Sequence, residues 1–384
     1  MKNLIKKIII WKLDILAKMY LWRFEPDIVA ITGNVGKTST KEAVAAVLSK
    51  TKRVRSGKGN LNNEFGVPLT IIGNWADSYY EAGNSVWFWL KVLPVSFFKF
   101  FFTFEYPQIL VLEYGADKPG DISRLVRKYK PKIGIVTAVG EIPVHVEYFS
   151  DPDSLAREKS KLVSMLRQND YAILNHDDPV VYDMKEKTKA KVMSYGFTEG
   201  SGVMLSNFDF HLDENLKPEG VSFKIHYRTH TLAPSLKKHL SQPEAYASSS
   251  AGFVPATIHG VLGKSQAFAA GAAACVGIIY EMNLIEISEA LGNYRSPNGR
   301  LKILKGIKNT TIIDDTYNAA PSSMHLALDT LRELPGKRKI AILGDMLELG
   351  KYTIEVHESI GNLAGSVANV LVTVGVRGKF IAYA

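Results

Sequence analysis

The sequence predicts an α/β protein: a central P-loop domain on a mostly parallel sheet, followed by a smaller, truncated C-terminal Rossmann-like domain. Three observations predict it. Short β-branched apolar runs alternate with helical stretches over residues 27–196, the pattern of buried parallel strands joined by crossover helices. A glycine-bracketed turn, Gly33-Asn34-Val35-Gly36-Lys37-Thr38-Ser39, follows the first such run and opens a helix. A Pro/Gly-containing linker at residues 294–300 then precedes a second round of strand–helix alternation.

Bulk properties set outer bounds. At 384 residues the chain is long enough for two or three domains. A hydrophobic share of 46% and a charged share of 22% suit a folded, soluble protein. The single cysteine, Cys275, excludes a disulfide framework and a cysteine-based metal site, and it fits a reducing, cytoplasmic setting. A formal charge of +9 is compatible with phosphorylated, acidic substrates or a membrane surface. No nucleic-acid-binding module is evident, so no nucleic-acid partner is expected.

Residues 1–26 form a first unit. Over residues 1–24, apolar and aromatic side chains interleave with Lys2, Lys6, Lys7, Lys12, Lys18 and Arg23. Lys12, Asp14 and Lys18 interrupt the apolar run, and no small-residue cleavage site follows, which argues against a signal peptide. No run is long enough to span a bilayer. The segment reads either as a basic amphipathic helix on an anionic membrane or as a helix packed on the body of the protein.

The central domain is predicted over residues 27–299. IVAIT is a buried strand, and KEAVAAVLSK is a helix with Val44, Val47 and Leu48 on its apolar face. The backbone N–H groups of the turn between them and the helix N-terminus point at an anion. Lys37 would reach outer phosphates and the Thr38 hydroxyl would take a Mg²⁺. The loop has the short GxxGKT form, which suits a narrower set of ATP enzymes than the longer GxxxxGKT. RVR at 53–55 is a short strand, and the Asn-rich stretch at 59–68 is a loop opening a further helix, either a substrate contact or only a turn.

Residues 86–104 are the most aromatic segment. Pro94 breaks it and Lys91 and Lys99 sit inside it, which predicts an interfacial or surface-packed hairpin. With the N-terminal helix it makes a possible peripheral membrane contact, against the alternative of packing between helices. QILVLE is a buried strand ending in Glu113, at the carboxyl end where ligands gather in doubly wound sheets, so Glu113 is a Mg²⁺ ligand candidate. IGIVTAVG is a further strand, and His145 follows it. DSLAREKSKLVSML is a helix, with Asp153 or Ser154 as N-cap, carrying Lys159. A β-hairpin region spans 197–260, with a low-complexity loop AYASSSAGF, and Ala-rich helices span 263–292. The C-terminal domain is predicted over 300–384, where strands and helices alternate again.

ITGNVGKTST, GNLNNEFGVPLT, VLEYGADKPGDI, IGIVTAVGEIPVHVEYF, AREKSKLV, ILNHDDP, Gly299-Arg300, IIDDTYNAAPSSM and ILGDMLELG occur in this order. The order resembles the Mur ligase family, over about residues 27–378, and within it the branch that adds D-alanyl-D-alanine to a UDP-N-acetylmuramoyl-tripeptide. The resemblance implies an ATP-dependent ligase of peptidoglycan synthesis. An acceptor carboxylate is phosphorylated and an amine attacks the acyl phosphate. UDP-muramoyl-peptide and D-Ala-D-Ala would be the substrates, with ATP and two Mg²⁺ ions. Gly33, Asn34, Val35, Gly36, Lys37, Thr38 and Ser39 would cradle the nucleotide. Thr38 and Glu113 would hold one metal. His145 falls on the histidine of the second metal, and Lys159 on the lysine that the family carbamylates. Arg300 would contact ATP phosphate, and Asp315 and Asn318 would face the nucleotide from the C-terminal domain.

The chain departs from the family pattern in four places. Lys159 lies in Glu158-Lys159-Ser160-Lys161, without the usual acidic residue after it. The adenine motif falls on Ser265–Ala269, where Gln266 offers an amide and Ala269 does not. The N-terminal UDP-sugar domain is replaced by the basic-aromatic helix, and the last C-terminal strands are absent, which predicts a fragment. Two other functions are compatible with these departures: a related ligase with another acceptor, of polyglutamylation type, or a catalytically weak nucleotide-binding partner protein.

Overall fold

The structure is a computed structural model that describes residues 2–59, 61–82, 85–140, 149, 151–227 and 252–384. Its centre is a parallel sheet whose middle strand is β1 (Asp27–Thr32), paired on one side with β3 (Ile109–Glu113) and on the other with β4 (Ile133–Val136). The sheet continues outward from β3 to β2 (Val54–Ser56), and from β4 to β5 (Tyr171–Asn175) and β6 (Lys191–Gly196). The inner strands β1, β3, β4 and β5 read as near-continuous apolar runs because both faces are covered. Within β1 the faces still alternate: Val29 and Ile31 enter one core, Ile28 and Ala30 the other.

The second of these faces carries α1 (Lys2–Phe24), α3 (Gly66–Ile72), α5 (Val86–Phe102) and α6 (Asp121–Lys128), with α4 (Ala76–Ala82) beside them. The next helix, α7 (Pro152–Ser164), adds Leu155 and Leu162 to this core. Val163 of α7 and Val181 of the short α8 (Pro179–Tyr182) meet in a smaller cluster with Val136 and Leu174. On the first face lie α2 (Lys37–Ser49), α9 (Lys264–Ile279) and α10 (Leu284–Gly292). The alanine and glycine content of α9 lets it approach closely. A Cβ on Gly277 would sit 2.8 Å from Ile287 and 3.0 Å from Val47.

The hairpin predicted over 197–260 extends the same sheet. β7 (Val203–Leu212) runs parallel to β6, then β8 (Pro218–Tyr227) and β9 (Phe253–His259) add antiparallel, giving nine strands among the described residues. The low-complexity loop, up to Ala251, lies outside the described residues.

The N-terminal helix is packed on the body along one side only. Leu13, Leu16, Ala17 and Tyr20 are buried, Tyr20 donates to the Ser96 carbonyl at 2.8 Å, and Asp14 accepts from Lys128 and from the Tyr129 hydroxyl.

Two local expectations change. Residues 86–102 are one helix running through Pro94, not a hairpin. Pro94 and Leu90 both lie on the exposed side, so the carbonyl that loses its N–H partner is open to water. The cap of α7 is Asp151, earlier than Asp153 or Ser154. Its carboxylate accepts from the Ser154 N–H at 2.6 Å, and the Ser154 side chain reciprocates as a capping box.

Beyond the linker, β10 (Lys302–Lys305) pairs antiparallel with β11 (Thr311–Asp314), and β12 (Ile340–Leu343) pairs parallel with β13 (Val370–Thr373). α11 (Pro321–Glu333), α12 (Thr353–Val367) and α13 (Gly378–Tyr383) complete this unit. The strand–helix rhythm is as predicted, but β10–β11 and β12–β13 are separate two-stranded ladders. A small core of Ala320, Met324, Leu328, Ala341 and Ile360 holds the unit together, and Val35 of the glycine loop packs against it.

If α1 is an integral layer of this core, Leu13→Ala lowers unfolding stability by about 2–5 kcal/mol, the cost of emptying a fully buried leucine site. Urea unfolding followed by circular dichroism measures this; an unchanged midpoint contradicts the packing.

Candidate active site at the glycine loop

The β1 strand delivers its last residue, Thr32, to the turn that opens α2. Gly33 has φ 147° and Gly36 has φ 86° as the left-handed N-cap of α2, conformations that favour glycine. Gly33 is also sterically fixed, since a Cβ there would lie 2.0 Å from the Thr137 hydroxyl oxygen. The turn is stapled to the segment after β4. Asn34 N–H donates to Ala138 O at 2.6 Å, Thr137 Oγ1 donates to Val35 O at 2.7 Å, and the Asn34 side-chain amide donates to Val139 O. Asp178 in turn accepts from Val139 N–H at 2.8 Å and Gly140 N–H at 3.2 Å, so the wall of the turn is itself braced.

Two ammonium groups converge on one carbonyl oxygen. Lys37 Nζ donates to Gly33 O at 2.8 Å and to Asn34 O at 3.1 Å. Lys159 Nζ, delivered from α7, donates to the same Gly33 O at 3.0 Å. Burial lowers the proton affinity of Lys37, an effect opposed by the Glu113 carboxylate and reinforced by Arg300. Lys159 is pushed well below the ordinary lysine range, by burial first and by Lys37 next. The neighbouring Glu158 points the other way and accepts from Ile122 N–H at 2.9 Å at the start of α6, which fixes the register of Lys159.

Glu113 ends β3 directly opposite Ile31 in the ladder, as its position at a strand tip predicts. It is buried, and its Oε1 has no hydrogen-bond partner among the described residues. Lys41 Nζ lies 3.6 Å from that oxygen and donates to the carbonyls of Gly57 and Gly59. Sequence reasoning missed Lys41, although its place one turn after Lys37 on α2 puts both lysines on one helix side. A buried carboxylate oxygen with no hydrogen bond, faced by the Lys41 ammonium at the strand tip next to the glycine loop, has the chemistry to take a hard cation, and Glu113 and Thr38 would hold Mg²⁺ there.

The C-terminal unit supplies the opposite wall. Arg300 stacks over Tyr317 at 4.2 Å, and its Nε is buried without a hydrogen-bond partner among the described residues. Its charge reaches Lys37. Gly299 N–H donates to Asp314 at 3.1 Å and Leu301 N–H donates to Asp315 at 3.1 Å, so the two aspartates clamp the residues on either side of Arg300. Burial raises the Asp315 carboxyl to about 6. Asn318 is exposed and its Oδ1 accepts from Ala319 N–H at 3.0 Å.

Gln266 is occupied within the protein: its amide donates to Arg300 O at 3.1 Å and accepts from the Tyr294 hydroxyl at 3.1 Å. It ties α9 to the linker. Ser39 is buried on the first turn of α2. His145 lies outside the described residues.

A cleft of about 830 Å³ opens beside the site, between α1, the Asn-rich loop and α6, and its lining includes Asn63, Gly115 and Asp117. The Asn-rich loop reaches the site through backbone: Gly115 N–H donates to Asn62 O at 2.8 Å. Asn63 is a cap, accepting from Phe65 and Gly66 N–H groups at 3.1 Å.

A left-handed glycine turn between a buried strand and a helix, with a lysine at its end and a carboxylate on the adjacent strand tip, defines a P-loop nucleotide-binding protein. Comparison with known proteins narrows the class. Residues 95–236 match the Mur ligase middle domain, and residues 299–383 match the Mur ligase glutamate ligase domain. A UDP-N-acetylmuramoyl-tripeptide–D-alanyl-D-alanine ligase of Bacillus subtilis is 28% identical over 371 residues, covering 96% of this chain and 66% of that protein. The ligase of the same name from Mycobacterium leprae is 31% identical, covering 88% of this chain and 59% of its own length. Among solved structures, the MurF ligase of Thermotoga maritima in complex with ADP superposes with TM-score 0.75 at 23% identity, covering 97% of this chain and 72% of that one. The chain belongs to the Mur ligase family. It spans about three fifths to two thirds of the length of these two curated relatives.

Two outcomes follow from the geometry. Gly33→Ala drives a methyl into Thr137 and, by displacing the loop, weakens ATP binding by roughly tenfold or more; isothermal titration measures it, and unchanged affinity contradicts the assignment of this loop. Asp315 holds its proton more tightly folded than unfolded, so its contribution to stability is present below about pH 4 and is lost as pH rises through about 6. Asp315→Asn therefore raises the melting temperature at pH 8 and leaves it unchanged near pH 3.5. A gain independent of pH contradicts this.

Proposed function

We propose that the chain is an ATP-dependent amide ligase that joins D-alanyl-D-alanine to a UDP-N-acetylmuramoyl-tripeptide. The observation that carries the reading is the junction of Lys37 and Lys159 at one glycine loop, with the buried Glu113 carboxylate on the adjacent strand tip and the charge of Arg300, at the end of the linker, acting on Lys37. The names of the curated relatives supply the substrate pair.

In this reading the loop amides and Lys37 hold the polyphosphate, and Arg300 closes on it from the C-terminal unit. The acceptor carboxylate oxygen attacks the γ-phosphorus, the bond to the β-phosphate oxygen breaks, and ADP leaves. The amine of the dipeptide then adds to the acyl carbon, gives up a proton, and expels phosphate as the C–N bond forms. Positioning of the two substrates provides much of the acceleration, and the cleft beside Asp117 is where the acceptor would lie. Mg²⁺ held by Thr38 and Glu113, with a second ion at His145 and Lys159, would neutralise charge on the phosphates. Lys159 suits its part because its lowered proton affinity favours the neutral amine, which adds CO₂ with release of a proton to give a carboxylate-like carbamate. Substrates of this kind would be met in the cytoplasm.

Phosphate release from ATP, measured with a panel of acceptors, tests the proposal. Release that requires both the muramoyl-tripeptide and D-Ala-D-Ala supports it; release with other pairs points to a different acceptor, and none at all removes the enzyme reading. Lys37→Ala should lower turnover by about a thousandfold or more while the melting temperature stays close to that of the parent.

A further inference from the structure

Helices α1 and α5 each carry two apolar stripes, and only one of each is used by the core. On α1 the inner stripe is Leu13, Leu16, Ala17 and Tyr20; the outer one is Leu4, Ile8, Trp11, Ile15 and Trp22, at helical spacing and exposed. On α5 the inner stripe is Phe88, Trp89, Val92 and Phe100; the outer one is Trp87, Leu90, Phe98, Phe101 and Phe102. Both inner stripes enter the same core layer. The helices are joined by the Tyr20–Ser96 bond, by Arg23 donating to Thr103 O at 3.3 Å, and by the Phe24–Phe100 ring pair. Their outer stripes therefore face away from the sheet on one side of the molecule. Trp87 is 80% exposed and Trp22 79%, far beyond the scattered apolar residues of an ordinary surface.

The charges on this face have one sign. α5 contains no acidic residue. The one acid of α1, Asp14, is turned inward to Lys128 and Tyr129. Lys7, Lys12, Lys18 and Lys91 are exposed, and none forms an ion pair among the described residues. No helix among the described residues is long and apolar enough to cross a membrane. Tryptophan and phenylalanine rings bordered by these lysines match an anionic lipid interface, where rings sit at headgroup depth and lysines meet phosphate.

We infer that the α1/α5 face docks the protein on an anionic lipid bilayer, lying in the interface without crossing it. The inference does not depend on the ligase reading. It also places the 830 Å³ cleft, which Ile5, Val86 and Trp89 of these helices help to line, next to the lipid surface.

Co-sedimentation of the full chain with phosphatidylcholine vesicles, with and without phosphatidylglycerol, tests it. The expected result is binding that requires phosphatidylglycerol, weakens with salt, and shifts tryptophan emission to the blue. The double variant Trp22→Ala/Trp87→Ala and the pair Lys7→Glu/Lys12→Glu should each reduce the vesicle partition coefficient by about tenfold or more, with melting temperatures unchanged because these side chains are exposed. Absence of vesicle binding overturns the inference, as does binding that neither variant weakens. Light scattering supplies a second arm: a lipid-independent dimer that Trp22→Ala/Trp87→Ala dissociates would assign the face to a second copy and also overturn it.

Discussion

Gly33 offers its carbonyl oxygen to two lysines at once, and the site depends on how the surrounding fold tolerates them. Two ammonium groups held together away from water repel each other and lose hydration. The structure meets this with fixed dipoles and nearby carboxylates: the Gly33 and Asn34 carbonyls, Glu113 at the adjoining strand tip and, more distantly, Asp117. The compensation is partial, since both lysines have lowered proton affinity. A pocket with Lys37, Arg300 and a row of helix-terminal N–H groups suits a polyanion.

Rigidity comes from backbone placed by the sheet. Pairing β1 between β3 and β4 puts Glu113 on one side of the glycine loop and Thr137 on the other, with no adjustable linker between them. The second wall is of a different kind. Arg300 sits in a clamp of Asp314, Asp315 and Gln266 at the start of the C-terminal unit, so the orientation of that unit decides where the guanidinium points relative to the glycine loop. Val35 touching the small C-terminal core shows that the loop and that unit meet directly.

Much of this is legible in the residues. A glycine–lysine–threonine turn after a β-branched run predicts the strand, left-handed glycine turn and helix that the structure contains. Glu113 is legible as the polar end of an apolar strand. What local pattern cannot carry is the direction of a side chain. Gln266 reads as an amide available to a base, yet one end binds the linker carbonyl of Arg300 and the other the Tyr294 hydroxyl. The Asn-rich stretch reads as either a substrate contact or a turn, and within it Asn63 serves as a helix cap. Lys41 looks like one more helical lysine until the fold sets Glu113 beside it. Pro94 suggests a break, but whether a proline ends a helix depends on which side faces water, and that is fixed by tertiary packing.

The central claim is that the loop from Gly33 to Ser39 binds a triphosphate between a metal-holding strand tip and Arg300. A crystal structure with a non-hydrolysable ATP analogue and Mg²⁺ tests it most directly. The account predicts the phosphates on the loop amides, Lys37 moved from Gly33 O to a phosphate oxygen, a metal on Glu113 and Thr38, and Arg300 turned to the nucleotide. A nucleotide bound elsewhere, or one on the loop with Glu113 still paired only with Lys41, would contradict it.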